Sequence, residues 1–376
     1  MVEQDGSGYF LYHSIGMFPG KAERVAEALT RTATLWGTPD DSQWQLSLAT
    51  RARFIERWRT LIRAPAGTLT TAENVTAALH SLIGALPERY LRGRRLLIAA
   101  DCFPSLHFLL AGMAQRRGFE LLTVTPRPGE RWVRDDDFIA QWDASVGVAL
   151  LTFVTSTNSH RCDVRALVAH GHAQGSLVGV DITQGVGILP FEVPASNADF
   201  VVSSTIKWLC GVAGAGVLQV RDTLLRECQP ELRGWFSQED IFSWALDRFT
   251  YAGDARRFDH GTPSIFPFAA SLPALEWHAQ QDPMALLAHN RRLIEVIIDA
   301  GAALELQLAS PRRADERGGS IMFQLPPHCD PASLVAKLRE RSLFTDHRGA
   351  TLRLSPGNMT TLDGVAKLLR SLRELI

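Results

Sequence analysis

Two hydrophobic periods alternate along the chain, and their order predicts an architecture. KAERVAEALTRTATLW and RARFIERWRTLI place apolar residues three or four apart with arginine and glutamate between, the pattern of two outer helices. TTAENVTAALHSLIGAL opens on threonine, glutamate and asparagine before an apolar run, which marks a helix start. Short apolar runs then follow: RRLLIAAD, FELLTVTP, SVGVALLTFVTST, SLVGVDIT, ADFVVSST and GVLQVRD, separated by helix-like stretches such as SLHFLLAGMAQRRG and DVRALVAHGHAQG. Strands apolar on both faces and joined by helices predict an α/β domain, a mostly parallel sheet covered by helices on both faces. Past GTPSIFPF the pattern changes to a long helix around NRRLIEVIIDAG, strands in LELQLA, GSIMFQL and ATLRLSP, the helix PASLVAKLRE and a last helix, predicting a smaller α+β domain. The expected division is residues 1–59 as an N-terminal segment and helices packing on the small domain, 60–275 as the large domain and 276–376 as the small one.

In open α/β sheets ligands lie beyond the carboxyl ends of the strands, so the ends carry the functional reading. LIAAD runs into Cys102 and Phe103. LVGVD ends on Asp181, with Thr183 and Gln184 after it, and FVVSST ends on the hydroxyls of Ser204 and Thr205 just before Lys207. A lysine directly after a buried strand is paired, snorkels to water or is used chemically. The same rim offers an aromatic plate, a carboxylate, an amide, hydroxyls and an amine, a set that suits a flat heteroaromatic aldehyde bearing a phosphate. The carboxylate can hold a pyridine nitrogen protonated, the ring can cover the heterocycle, and the lysine can form a Schiff base with the aldehyde. Backbone N–H groups of Val75 and Thr76 at the start of the following helix can hold the phosphate. Pyridoxal 5'-phosphate meets all of these demands. The glycines of CGVAGAGVL follow Lys207 and lead into a strand, so they mark a tight turn rather than a dinucleotide fingerprint.

Composition narrows the remaining classes. With 39 basic against 40 acidic side chains and a formal charge of -1, no net field gathers nucleic acid or acidic membrane. Five cysteines, odd in number and without a CxxC pair, argue for a reducing compartment and against a disulfide framework or structural metal site. No apolar run approaches the ~18 residues of a membrane span, and MVEQDGSGYFLYHSIG lacks a basic region followed by an apolar one, so the expectation is a cytosolic protein.

Taken in order, FPSLHF, VDITQGVGILPFEV, NADFVVSSTIKWLCGVAGAG, RGWFS, RFDHGTPSIFPFAASLPALE and TDHRGATLRLSP resemble the class V branch of the fold-type-I pyridoxal-phosphate enzymes, and within it kynureninase. The resemblance covers nearly the whole chain. It implies that Lys207 bonds the cofactor, Asp181 partners the pyridinium, Phe103 stacks on the ring and Gln184 lies near the phenolic oxygen. It further implies that Val75, Thr76 and Ser204 hold the phosphate, that Trp235 and Thr262 close the site, with Thr262 reaching over from the second subunit of a homodimer, and that Arg353 clamps the substrate's α-carboxylate. The opening segment LYHSIGMFPG resembles the family's segment that enters the active site, which makes His13 a candidate substrate contact. His80 is another if it faces the pocket, although its place after Leu79 on an apolar helix favours the core.

Departures from kynureninase lie at four positions. Gln184 stands where that family has His, Ile206 where it has a Tyr that binds phosphate, Leu106 where it has Asp, and Gln238 where it has His. Ile206 can neither bind phosphate nor move a proton. No cysteine follows a desulfurase pattern, and only Cys102 sits at the strand rim. The expectation is therefore hydrolytic β,γ carbon–carbon cleavage releasing alanine from a substrate other than kynurenine. Transamination, racemisation or epimerisation, and β-elimination share the first deprotonation and stay open. So does a non-catalytic protein retaining the fold.

Overall fold

The computed structural model describes residues 5–376. Its first helices are α1 (Lys21–Gly37) and α2 (Ser42–Leu61), followed by strand β1 (Leu69–Ala72) and α3 (Val75–Ala85). Strand and helix then alternate: β2 (Arg95–Ala99), α4 (Pro104–Arg117), β3 (Glu120–Val124), α5 (Asp135–Ala140), β4 (Val146–Thr152), α6 (Val164–Ala173), β5 (Leu177–Asp181), α7 (Val193–Ser196), β6 (Phe200–Ser204), β7 (Gly216–Val220) and α8 (Asp222–Glu227). Two long helices, α9 (Phe266–Ala279) and α10 (Pro283–Ala303), lead into β8 (Gln307–Leu308), β9 (Ile321–Gln324), α11 (Pro331–Glu340), β10 (Asp346–Arg348), β11 (Thr351–Leu354) and α12 (Leu362–Leu375).

A seven-stranded sheet in the order β1-β7-β6-β5-β4-β2-β3 forms the large domain. The stretch from β6 to β3 is parallel, and at the other edge β7 runs antiparallel to both β6 and β1. Alternation along single strands shows why both faces are apolar. In β4, Val148 and Leu150 meet α3, α4 and α8, while Ala149 and Leu151 meet the core shared with α2, α6 and α9. The small domain is a four-stranded antiparallel sheet, β10-β11-β9-β8, backed by α10, α11 and α12.

Three expectations change. The N-terminal helices do not pack on the small domain: α1 and α2 lie against α9, and Phe54, Trp58 and Ile62 are buried in the large-domain core. Their apolar faces match the wide surface of α9, whereas the small sheet is already covered by its own helices. Only the segment before them joins the small domain, through Phe10 and bridges from Tyr9 to Phe344 and Leu11 to Ser355. The boundary at residue 275 falls inside α9, whose buried residues reach Trp277 within the large-domain core. Finally, Thr70–Ala72, taken with the helix start, belong to the edge strand β1, whose neighbour β7 sets its register, and the helix begins only after Asn74, which accepts a hydrogen bond from the Ala77 N–H.

Trp58 ties this N-terminal layer to the loop before Lys207. It is fully buried and its indole N–H donates to Thr205 Oγ1 at 3.2 Å. Trp58→Ala is expected to lower unfolding free energy by about 3–5 kcal/mol, measured by denaturant titration.

Candidate functional site

A cavity of about 1230 Å³ opens at the carboxyl ends of β4, β5 and β6. Nine of the twelve expected site residues line it: Val75, Thr76, His80, Phe103, Asp181, Gln184, Ser204, Lys207 and Thr262. Five of them stand at the ends of strands or helices. Asp181 is the last residue of β5 and Ser204 the last of β6, Phe103 caps α4, and Val75 and Thr76 form the first turn of α3. Gly214, at φ +84°, turns the chain back beside Lys207 towards β7, a conformation that favours glycine.

The amine and the carboxylate are perturbed by the same burial. Lys207 is half-buried, and lost hydration lowers its pKa to about 8; Arg353 lowers it further and Asp181 opposes both. Its Nζ stands 5.1 Å from the centre of the Phe103 ring. Asp181 is 7% exposed, and burial raises its pKa against the hydroxyl and N–H of Thr183, which both donate to Oδ1, and the charge of Lys207. Its other oxygen, Oδ2, accepts from no described residue. Thr152, at the end of β4 and paired across to Asp181, lines the same cavity with a buried hydroxyl that has no partner among the described residues.

These unsatisfied groups fit pyridoxal phosphate. Asp181 Oδ2 is free for a ring N–H, Thr152 Oγ1 for a polar substituent, and the first-turn N–H groups of α3, which have no intrahelical acceptors, for a phosphate. Gln184 is 7% exposed, and its amide N–H donates to the carbonyl of His13 at 3.0 Å, which fixes the side chain's orientation.

Three expected residues lie outside the cavity. Arg353 is 5% exposed behind Ser156, a lining residue whose carbonyl it bonds through Nη1 at 3.0 Å. His13 is 3% exposed, with Nδ1 at 2.6 Å from Ser355 Oγ and Nε2 at 3.1 Å from Asp346 Oδ1. Trp235 meets the rings of Trp44 and Phe236 edge-on, away from the cavity of its own chain. His80 departs in the other direction: it is exposed and faces the cavity, not the core. Cys102 is buried off the lining, its thiol pushed up to about 12 by burial, and none of the five cysteines lines the cavity.

Sequence reasoning missed several groups. Thr152 stands beside Asp181, and the end of its strand alone could have suggested it. Asp346 grips Arg353 through Nε at 2.9 Å and through Nη2, as its direct cross-strand partner. Arg51 and Asp259, 2.7 Å apart and both buried, line the far side of the cavity with Thr70 and Thr71, and no local pattern announces that pair.

Fold and cavity together define a fold-type-I pyridoxal-phosphate enzyme. The chain matches the class-V aminotransferases over residues 53–352 and belongs to that family. It is 28% identical over 364 residues to the kynureninase of Deinococcus radiodurans, covering 92% of this chain and 85% of that one. It is 26% identical over 322 residues to the isopenicillin N epimerase of Streptomyces clavuligerus, covering 82% and 80%. Its fold is similar to that of a cysteine desulfurase of Escherichia coli, with TM-score 0.85 and 19% identity over 100% of this chain and 96% of that one. It is also similar to a C-DES mutant with glycine covalently linked to the pyridoxal-phosphate cofactor, with TM-score 0.88 and 18% identity over 98% and 97%. Pyridoxal 5'-phosphate is the cofactor, and among the described residues no helix is long and apolar enough to cross a membrane.

The lowered lysine pKa has a definite sign. Only the unprotonated amine attacks an electrophile, so acylation of Lys207 in cofactor-free protein should rise with pH around a midpoint near 8 rather than 10.5. Asp181→Asn removes the group that raises this pKa and should move the midpoint lower. Peptide mass mapping of the labelled lysine reads both.

Proposed function

We propose that this enzyme cleaves the β,γ carbon–carbon bond of an α-amino acid hydrolytically, releasing alanine and a carboxylic acid, and that its substrate is not kynurenine. The observation that carries the reading is the meeting of Lys207, a readily deprotonated amine, with Asp181 and its unpaired Oδ2 in one cavity, in a chain whose relatives include kynureninases. Bound pyridoxal phosphate supplies an electron sink for the pair left at the substrate's Cα.

The chain's own groups do the rest. Lys207 Nζ bonds the cofactor at rest and moves the Cα proton during turnover. Asp181 keeps the ring nitrogen protonated, Thr183 keeping Asp181 ionised. Phe103 covers the ring, Gln184 and Thr152 bind its polar edge, and Val75, Thr76 and Ser204 hold the phosphate. Arg353 binds the α-carboxylate through the part of its guanidinium that Asp346 and Ser156 leave free. Thr262 and Trp235 serve the neighbouring subunit of a homodimer, which agrees with the position of Thr262 at the exposed edge of its own chain's cavity and of Trp235 outside it.

The exclusion of kynurenine rests on Ile206, Leu106, Gln184 and Gln238, which replace groups a kynureninase would use. Leu106 lines the cavity, while Ile206 and Gln238 do not. The second reading, epimerisation or transamination, is favoured by Gln184 and by the epimerase relative. Incubating the purified holoenzyme with a panel of amino acids, including several with a γ-carbonyl, and following products by mass spectrometry separates the two. Alanine plus a carboxylic acid is expected; a keto acid or an inverted amino acid as product would replace the reading. Kynurenine turnover above about 1 per second, typical of metabolic enzymes, would refute the substrate exclusion.

Two substitutions test the assigned roles. Asp181→Asn should retain cofactor yet slow Cα–H exchange into deuterated water by at least about 100-fold, the range of a general acid–base contribution. Arg353→Ala should weaken amino-acid binding by about 10–100-fold, the worth of hydrogen bonds to a charged group, with cofactor affinity nearly unchanged.

A further inference from the structure

An α-amino acid carries its nitrogen and its carboxylate on one carbon. A site that holds the nitrogen from the large domain, at Lys207, and the carboxylate from the small domain, at Arg353, must therefore keep those domains in register to within about 0.5 Å. The segment from Tyr9 to Gly16 spans the two. Phe10 is buried in the small-domain core, its N–H donating to the Phe344 carbonyl at 2.9 Å and its carbonyl accepting from the Ser355 N–H at 2.8 Å. Tyr12 lies in the large-domain core, its ring stacked 5.7 Å from that of Trp208, the residue after Lys207. Gly16 donates to the Ile206 carbonyl at 2.9 Å, and a Cβ there would lie 1.9 Å from the Lys207 carbonyl oxygen.

His13 sits where this segment crosses from one domain to the other, and it contacts both ends of the site. Its carbonyl accepts the Gln184 amide at 3.0 Å, on the cofactor side. Its ring reaches the substrate side: Nδ1 meets Ser355 Oγ, itself 2.6 Å from Ser320 Oγ, and Nε2 lies 3.1 Å from the Asp346 oxygen that also accepts Arg353 Nε. Asp346 is the exposed member of the group, its side chain 26% accessible against 2% for His13 and 6% for Arg353. The imidazole thus stands against a carboxylate that has both oxygens on the Arg353 guanidinium. Burial lowers the His13 pKa, which favours the neutral ring beside the pair.

We propose that His13 is a positioning residue, which by wedging Asp346 against Arg353 while holding Gln184 registers the carboxylate-binding arginine with the cofactor end of the cavity. This rests on the reading of Arg353 as the carboxylate clamp. It replaces the expectation that His13 touches substrate.

The test titrates the cofactor spectrum of the holoenzyme with L-alanine and with ethylamine, the same skeleton without the carboxylate. It compares the original protein with His13→Leu, His13→Gln, Arg353→Ala and the double variant His13→Leu/Arg353→Ala. His13→Leu should weaken L-alanine about tenfold, the scale of losing one polar contact to a charged group, and leave ethylamine and cofactor affinity within about twofold. His13→Gln, which keeps a donor facing Asp346, should recover most of that loss, and it also keeps the test open should the leucine variant fold poorly. On the Arg353→Ala background His13→Leu should cost nothing further for L-alanine, because the group it positions is gone. Equal weakening of both ligands by His13→Leu, no weakening, or a full additive loss in the double variant would overturn the positioning role while the Arg353 reading stands. If Arg353→Ala leaves the preference for L-alanine over ethylamine intact, the Arg353 reading itself fails and takes the proposal with it.

Discussion

The site depends on a lysine that must be nearly dry yet reachable. Strands β4, β5 and β6 are covered on both faces, so polar groups can emerge only where the strands stop, and Thr152, Asp181, Ser204 and Lys207 all stand at such ends or within three residues of one. Dehydration there acts on opposite charges in opposite senses, lowering the amine of Lys207 and raising the carboxyl of Asp181. Left alone, it would tend to neutralise the pair. The two donors of Thr183 oppose the rise at Asp181 without touching its free oxygen. The amine receives no such hydrogen bond, and Arg353 adds to the effect of burial. The result is an amine that loses its proton readily beside a carboxyl whose upward shift Thr183 and Lys207 partly offset.

Legibility of the sequence followed the range of each interaction. The alternation of Val148, Ala149, Leu150 and Leu151 between two cores is written in consecutive residues, and the two-sided sheet could be read from such runs. The rim residues Asp181, Ser204 and Lys207 follow from it, since the end of an apolar run is itself a local signal. β1 could not be read because Leu-Thr-Thr-Ala carries little apolar pattern; its register comes from β7, more than 140 residues later. The N-terminal helices were recognised as helices but assigned to the wrong neighbour, because an apolar stripe states that a face is buried and not against what. His80 shows the same limit: it occupies an apolar helix, yet that helix turns this residue towards the cavity. Arg51 with Asp259, and His13 with Asp346, are contacts across 208 and more than 330 residues, and only the folded chain brings them together.

The same geometry limits which reactions the cavity can serve. All chemistry that begins by removing a Cα proton can use Lys207 for that step, but adding water to a γ-carbonyl and releasing the β,γ bond needs a second proton carrier farther out. Gln184 cannot supply it, being an amide already bonded to His13, and Ile206 and Leu106 are aliphatic. Histidine is the usual proton carrier near neutrality, and among the described lining residues the imidazoles are those of His80 and His260, on α3 and beside the Gly261–Ser264 segment. Both stand exposed at the cavity, on the side where Thr262 also lies. A hydrolase built on this site would thus draw its outer acid or base from the cavity mouth, where the substrate itself could fix its position. An epimerase has no need of a carrier at the γ-carbon, only of one on the face of Cα opposite Lys207. On the proposed reading the mouth would decide between the two chemistries, while the strand-end groups would serve both.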